Sequence, residues 1–309
     1  MNSRIFIDEN DVLHFIDDGT NELTASDLTD LITQHLYFID KYTRLMNYYK
    51  GHHDILDVAK KSRGKPDARA VVNFPAEIVT NSVGYFVGTP VKFDYEDDND
   101  INIDQKITNW TNLVNMQDKI VELAKQVDIF GRAYLLLYQD ENKQTCVANV
   151  DPRLGFIVYD DAIEPKPLFG VYYSADGNQG YRGTLYSKTA VQSFTMNNLD
   201  AVVKFGEKSD NQFAEVPLVE AMATFERQGV YENVLSLIDA VDFAMSAEQN
   251  DIDYFSNTIM KVINAKIDQE TINNMIDNRL INVKVVDENA PVDICLLYTS
   301  DAADEGLGV

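Results

Sequence analysis

The chain has 309 residues, 50 acidic against 26 basic side chains and a formal net charge of −24. Its 45% hydrophobic and 25% charged content is that of a folded protein, and the length suits about two domains at roughly 150 residues each. Such acidity excludes DNA binding by counterion release as the main activity and makes anionic membranes poor partners.

Two cysteines, Cys146 and Cys295, are too few for a disulfide scaffold and too far apart for a metal knuckle, which suits a reducing compartment. The acidic N-terminus MNSRIFIDENDVLHFIDDG has no basic region leading into an apolar core. No run of about 18 apolar residues occurs, so no spanning helix is expected.

In chain order, the first predicted element is a helix over residues 26–49. Leu28, Leu31, Ile32, His35, Leu36, Ile39, Tyr42, Leu45, Met46 and Tyr49 form its apolar stripe, with Ser26 as the cap and Gly51 at the exit. Residues 50–70 are polar and locally basic and read as an exposed loop or arm. A second helix follows Asn73 as N-cap, with Pro75 in its first turn and Gly88 and Pro90 at its end. An acidic surface loop, FDYEDDNDIN, precedes a single helix predicted over 107–127, and Gly131 is its C-cap.

Beyond Gly131 the period becomes extended. RAYLLLYQ, CVANVD, FIVYDD, PLFGVYYS, GYRGTLYS, AVQSFTM and AVVKFGE predict an antiparallel meander, with EVPLVEAMATF as a further strand. From 231 to 255 the pattern is a long helix. Tyr231, Val234, Leu235, Ile238, Val241, Met245, Ile252 and Phe255 share one stripe, beside a small-residue strip of Ala240, Ala244 and Ala247. Leu235, Ile238, Val241 and Met245 are its candidate packing residues. Its other face carries Glu232, Asp239, Asp242, Asp251 and Asp253 with no basic residue among them, a one-signed face that needs a reason. A β-like TIMKVINAKI, a short polar helix at 269–279 and LINVKVV follow.

Few residues suggest chemistry. His52-His53-Asp54 is the only histidine pair, and adjacent residues point apart, so it reads as an exposed loop and not a metal site. His35 sits on an apolar face and reads as a packed core histidine. The acids at 94, 96, 97, 98 and 100 lack the glycine and terminal glutamate of a calcium loop. Asp151-Pro152-Arg153 reads as a turn with a charge pair. No phosphate-binding loop, dinucleotide fingerprint or nucleophile elbow occurs. No catalytic residue, metal or cofactor is expected.

Seven segments in order, YYKGHHDIL (48–56), NFPAEIVTNSVGYFVGTPV (73–91), FGRAYLLLYQDE (130–141), DPRLGFIVYDD (151–161), PLFGVYY (167–173), EVPLVE (215–220) and ENVLSLIDAVDFAMSAEQNDIDYF (232–255), resemble tailed-phage portal proteins of the siphophage type. These are the head-to-tail connectors of the virion. The resemblance implies an α+β fold: an N-terminal arm (1–23), a helical and antiparallel β wing domain (24–225), a long stem helix (226–257) and the start of a small α/β clip (258–294). It implies a dodecameric ring at one capsid vertex, assembled in the host bacterial cytoplasm. The implied partners are identical subunits, double-stranded DNA passing non-specifically, capsid and scaffold protein, the terminase large subunit and a head-completion adaptor, with no membrane. Such proteins continue through a second stem helix and a crown, both missing here, and residues 295–309 read as a non-native tail on a truncated gene. Glu232, Asp239, Asp242 and Asp253 become candidates for the DNA channel or subunit contacts, with a plain solvated face as the equal alternative. The rivals are another phage head-neck structural protein and a metal-dependent phosphohydrolase or nuclease built on the acidic loop and His52-His53.

Overall fold

The computed structural model describes residues 4–16, 22–60, 66–93, 101–177, 180–198, 201–256, 259–266, 284–287, 290–291 and 293–297. The acidic run at 94–100, the polar helix expected at 269–279 and everything after 297 lie outside them. The chain divides into two units, one of residues Met1–Asp54 and Val72–Asp239, the other of Ile55–Val71 and Ala240–Val309. Among the described residues helices and sheets are mixed without a βαβ series, consistent with the α+β expectation.

The first unit opens with β1 (Ile5–Ile7) and β2 (Leu13–Phe15), so the expected N-terminal arm supplies two paired strands. Helix α1 (Ala25–Tyr49) is capped by Thr24 and not by Ser26. The Thr24 hydroxyl accepts the Asp27 N–H while the Asp27 carboxylate accepts the Thr24 N–H, a reciprocal box that Ser26 cannot form from inside the first turn.

Strands β5 (Gly155–Tyr159), β6 (Pro167–Ala175), β7 (Tyr181–Ser187), β8 (Ala190–Met196) and β9 (Lys204–Asp210) form the predicted meander. With β1 and β2 they make a seven-stranded sheet, β2 joining β5 in parallel. Leu28, Leu31 and Ile32 of α1 pack on it against Phe15, Phe156, Val158, Val171 and Phe194. The meander is not one sheet, however. β3 (Arg132–Gln139) and β4 (Thr145–Val150) pair with each other and with β10 (Leu218–Met222) in a separate three-stranded sheet. A period of two marks a strand but says nothing of its partner.

His35 is a core histidine, as expected. Its Nε2 lies 2.8 Å from the Pro152 carbonyl oxygen, which can only accept, so Nε2 carries the proton and Nδ1 accepts from the Tyr173 hydroxyl at 2.7 Å. Burial drives its pKa down to about 3, with the Arg132 charge adding to the effect.

The helix expected over 107–127 is two: α3 (Ile101–Leu113) and α4 (Met116–Phe130). Asn115 breaks it in the left-handed conformation (φ 51°, ψ 52°), which Asn tolerates better than most residues. With α2 (Phe74–Val87), α4 builds a second core in which Tyr42, Leu45 and Tyr48 of α1 meet Val79, Ile129, Phe130, Tyr231 and Ile238. Gly131 caps α4 at φ +82°. A Cβ there would lie 2.0 Å from the Arg227 carbonyl oxygen, and one on Gly229 would lie 2.4 Å from that of Ile129. The two glycines let the end of α4 and the segment ahead of the long helix cross backbone to backbone, fixed by the Val230 N–H donating to Asp128 at 2.8 Å.

That helix, α5 (Leu235–Ser256), is continuous and follows a 3₁₀ turn at Glu232–Val234. In the second unit, β11 (Ile259–Ile263) pairs antiparallel with β14 (Asp293–Leu297), and β12 (Ala265–Lys266) with β13 (Lys284–Val285). Cys295 stands opposite Lys261, so this ladder runs across the point where a non-native tail was expected to begin.

Two predictions follow from these contacts. Gly131→Ala meets both a positive φ and a backbone clash, and a loss of about 2 kcal/mol or more is expected in urea unfolding; a loss under about 0.5 kcal/mol contradicts the crossing. For His35, the folded pKa lies below the ordinary 6.5, so its contribution is complete above 6.5 and is lost as pH falls toward about 3. Between pH 7 and 4 the wild type should lose more stability than His35→Gln; parallel profiles would refute the neutral buried ring.

Candidate functional site: the long acidic helix

The charged face of α5 finds its counter-ions on another helix. Lys41 of α1 places Nζ 2.9 Å from Glu232 and 3.3 Å from Asp11. Burial works against its charge, yet the two carboxylates outweigh that and hold the Lys41 pKa above the ordinary lysine value. Glu232 also accepts the Gly229 N–H at 3.0 Å. One turn further along α1, Arg44 Nη2 is 3.5 Å from Asp239, and the Tyr48 hydroxyl donates to the same carboxylate. Burial and that hydrogen bond push the Tyr48 pKa up to about 12. Glu232 and Asp239 therefore each have a partner on α1 of the same chain. The signal missed in the sequence was Lys41, Arg44 and Tyr48 at helical spacing on α1.

Asp242 departs from the expected exposed face: it is fully buried. It lies one turn after the buried Ile238 and one turn before Ser246, which is buried too, so the covered line of α5 turns polar in its second half. In the second unit that line holds an extended segment of chain. The Ala70 N–H donates to Ser246 Oγ at 2.9 Å and the Ala68 N–H to Asn250 Oδ1 at 2.6 Å, while Asn250 Nδ2 donates back to the Ala68 carbonyl at 3.3 Å. Two residues of extended chain advance about 6.6 Å and four residues of helix about 6 Å, so positions 68 and 70 fall in step with 250 and 246. Arg69, between them, donates to the Leu56 carbonyl at 2.7 Å.

The uncovered stripe is apolar. Val234, Leu237, Met245 and Ile252 follow helical spacing and are exposed, Leu237 by 63% and Ile252 by 54%. Of the candidate packing residues, Ile238 is buried and Leu235 packs against the helical core of the first unit, Val241 is half-buried and Met245 is open. Asp253 is partly exposed, 3.5 Å from Gln249 Nε2.

The other candidates resolve as structural. His53 is fully buried, stacked on Tyr48 at 4.5 Å with Nε2 3.2 Å from the Tyr48 carbonyl, which corrects the exposed-loop reading and removes it from any solvent-facing site. Its ring fills the space beside Tyr48 that polarity alone does not reveal. Arg153 pairs with Asp151 at 2.6 Å in the predicted turn. Among the described residues no three His, Cys, Asp or Glu side chains group as metal ligands, and no helix is long and apolar enough to cross a membrane. Sequence reading missed a buried charge cluster as well. Glu220 accepts Arg227 Nε and Nη2, both at 3.0 Å, and the Tyr159 hydroxyl at 2.7 Å, with Arg132 Nη1 3.7 Å away. It floors an open cavity of about 870 Å³.

A family model described as phage portal protein, SPP1 Gp6-like, matches residues 28–306. No curated protein matches the chain.

The extended segment gives a local test. Asn250→Ala and Ser246→Ala should each cost about 1 kcal/mol, with amide exchange rising chiefly at Ala68 in the first and at Ala70 in the second. Equal acceleration at both amides in both variants would contradict the stepwise pairing.

Proposed function

Because the chain belongs to the SPP1 Gp6-like family of phage portal proteins, we propose that it is a subunit of the ring through which DNA enters and leaves the capsid. The family is structural and not enzymatic, its members form oligomeric rings, and its place is the virion capsid. On this reading residues 24–225 are the wing, 226–257 the stem helix and 258–294 clip sequence. The terminase large subunit and a head-completion adaptor dock at the clip, while capsid and scaffold protein meet the wing. The chain passes DNA and does no chemistry on it.

The observation that supports this reading best is the inverted amphipathicity of α5. A helix of a free-standing globule turns its apolar stripe inward. In α5 the covered line begins apolar at Leu235 and Ile238 and continues through Asp242, Ser246 and Asn250, while Leu237, Met245 and Ile252 face outward. Exposed apolar residues recurring at helical spacing suit contact with another protein surface. In a ring, that surface belongs to a neighbouring subunit, whose contact is heterologous and closes on itself. The net charge of −24 suits the same role, since a wall of carboxylates gives sliding phosphates nothing to hold. Of the four acidic candidates, Asp239 and Asp253 keep accessible surface for that repulsion, whereas Glu232 is largely covered beside Lys41 and Asp242 is buried.

Leu237→Glu tests the stripe. At an exposed site it should leave thermal stability within about 0.5 kcal/mol of wild type while abolishing self-association in native mass spectrometry. Association of the variant to the same extent as wild type would remove α5 from the subunit interface.

A further inference from the structure

Strand β10 is an edge of its three-stranded sheet and pairs with β3 on one side only. The Leu137 N–H donates to the Pro217 carbonyl at 2.9 Å. Antiparallel pairing alternates, so residues 217, 219 and 221 turn their backbone groups toward β3, and Leu218, Glu220 and Met222 turn theirs away. Those three residues line the cavity of about 870 Å³, which is thus bounded on one side by an open strand edge. Pro165 and Pro167, also lining it, have no N–H with which to pair that edge. Folded proteins ordinarily block such an edge with charge, proline or a covering segment. Here Val219 and Phe225 stand beside it, exposed by 51% and 76%.

We propose that this edge takes a strand from a second copy of the chain, and that the strand is the basic run at 60–65. Charge and spacing identify it. The cavity is lined by Asp8, Glu164, Glu215 and Glu220 against Lys166 and Arg227. Arg227 is committed to Glu220 at 3.0 Å, and Glu215 meets Lys188 only in an exposed pair. A segment that enters should be positive. In a chain of net charge −24, Lys60, Lys61, Arg63 and Lys65 place four of the 26 basic residues within six positions. Residues 61–65 lie outside the described ones; in sequence, Lys61, Arg63 and Lys65 alternate with the small Ser62 and Gly64. An extended chain with that alternation sets three cations on one face and leaves the other face slim. Main-chain bonds to β10 supply the affinity, and the carboxylates select the partner. That the donor is a neighbouring copy rests on the ring reading, in which a contact joins two different surfaces of one chain; the open edge does not.

The test titrates a synthetic peptide of residues 57–68, DVAKKSRGKPDA, into the full chain by fluorescence anisotropy. Saturable binding is expected, with amide exchange slowed in the segment covering 218–222. Methylating the peptide's backbone nitrogens at Lys61, Arg63 and Lys65, or instead at Ser62 and Gly64, should abolish binding in one case and spare it in the other, the mark of a one-sided ladder. Glu164→Lys combined with Glu215→Lys, both at exposed positions, should weaken binding about tenfold. No saturation by about 1 mM peptide overturns the proposal. So do equal effects of the two methylations, indifference to the charge changes, or protection that falls outside 218–222. Native mass spectrometry reads self-association separately. Rings from a chain that does not bind the peptide overturn the strand pairing and leave the ring reading standing, whereas peptide binding by a chain that stays monomeric upholds the pairing and counts against the ring alone.

Discussion

A single rigid rod, α1, ties the first unit together. Its N-terminal half buries Leu28, Leu31, Ile32 and His35 against the seven-stranded sheet, and its C-terminal half buries Tyr42, Leu45 and Tyr48 among the other helices. Twenty-five residues of α-helix span about 37 Å and bend little, so one element sets the distance between two separate cores. The Tyr231 hydroxyl donating to the Leu45 carbonyl at 2.7 Å then places the turn that launches α5, and Tyr48 and Arg44 hold its first turns.

Charge is sorted by depth. The chain carries about two acids for each base, yet bases are concentrated where carboxylates are covered: Lys41 at Glu232, Arg132 and Arg227 at Glu220, and Arg69 at Asp67. A buried carboxylate without a partner is costly, and Glu220, whose side chain is 6% exposed, is accordingly held by Arg132 and Arg227. Lys41, Arg132 and Arg227 thus neutralise covered carboxylates within the chain, and the net charge of −24 is carried by the rest.

The 25-residue α1, α2 with its Asn73 cap and Pro75, the Gly131 turn, the strands and the long α5 were all legible, because capping chemistry and periodicity are local properties of the chain. So was the packed His35, whose neighbours on α1 are apolar on the same face. The two misplaced details were local competitions. Thr24 outbid Ser26 for the cap because Asp27 stands three residues after it, and Asn115 divided a stripe whose apolar spacing continued through the break.

What the sequence determined by itself was element type, the acidity of the chain and, through seven ordered segments, its kinship. Only the tertiary structure decided which strands share a sheet, that His53 is buried, that Asp239 of α5 is answered from α1, and that Ser246 and Asn250 hold the backbone of Ala68 and Ala70. Periodicity repeats every two or four residues, whereas Tyr48 and Asp239 stand 191 positions apart. Contacts at that range are chosen by the packing of whole elements, and no window of sequence contains both partners.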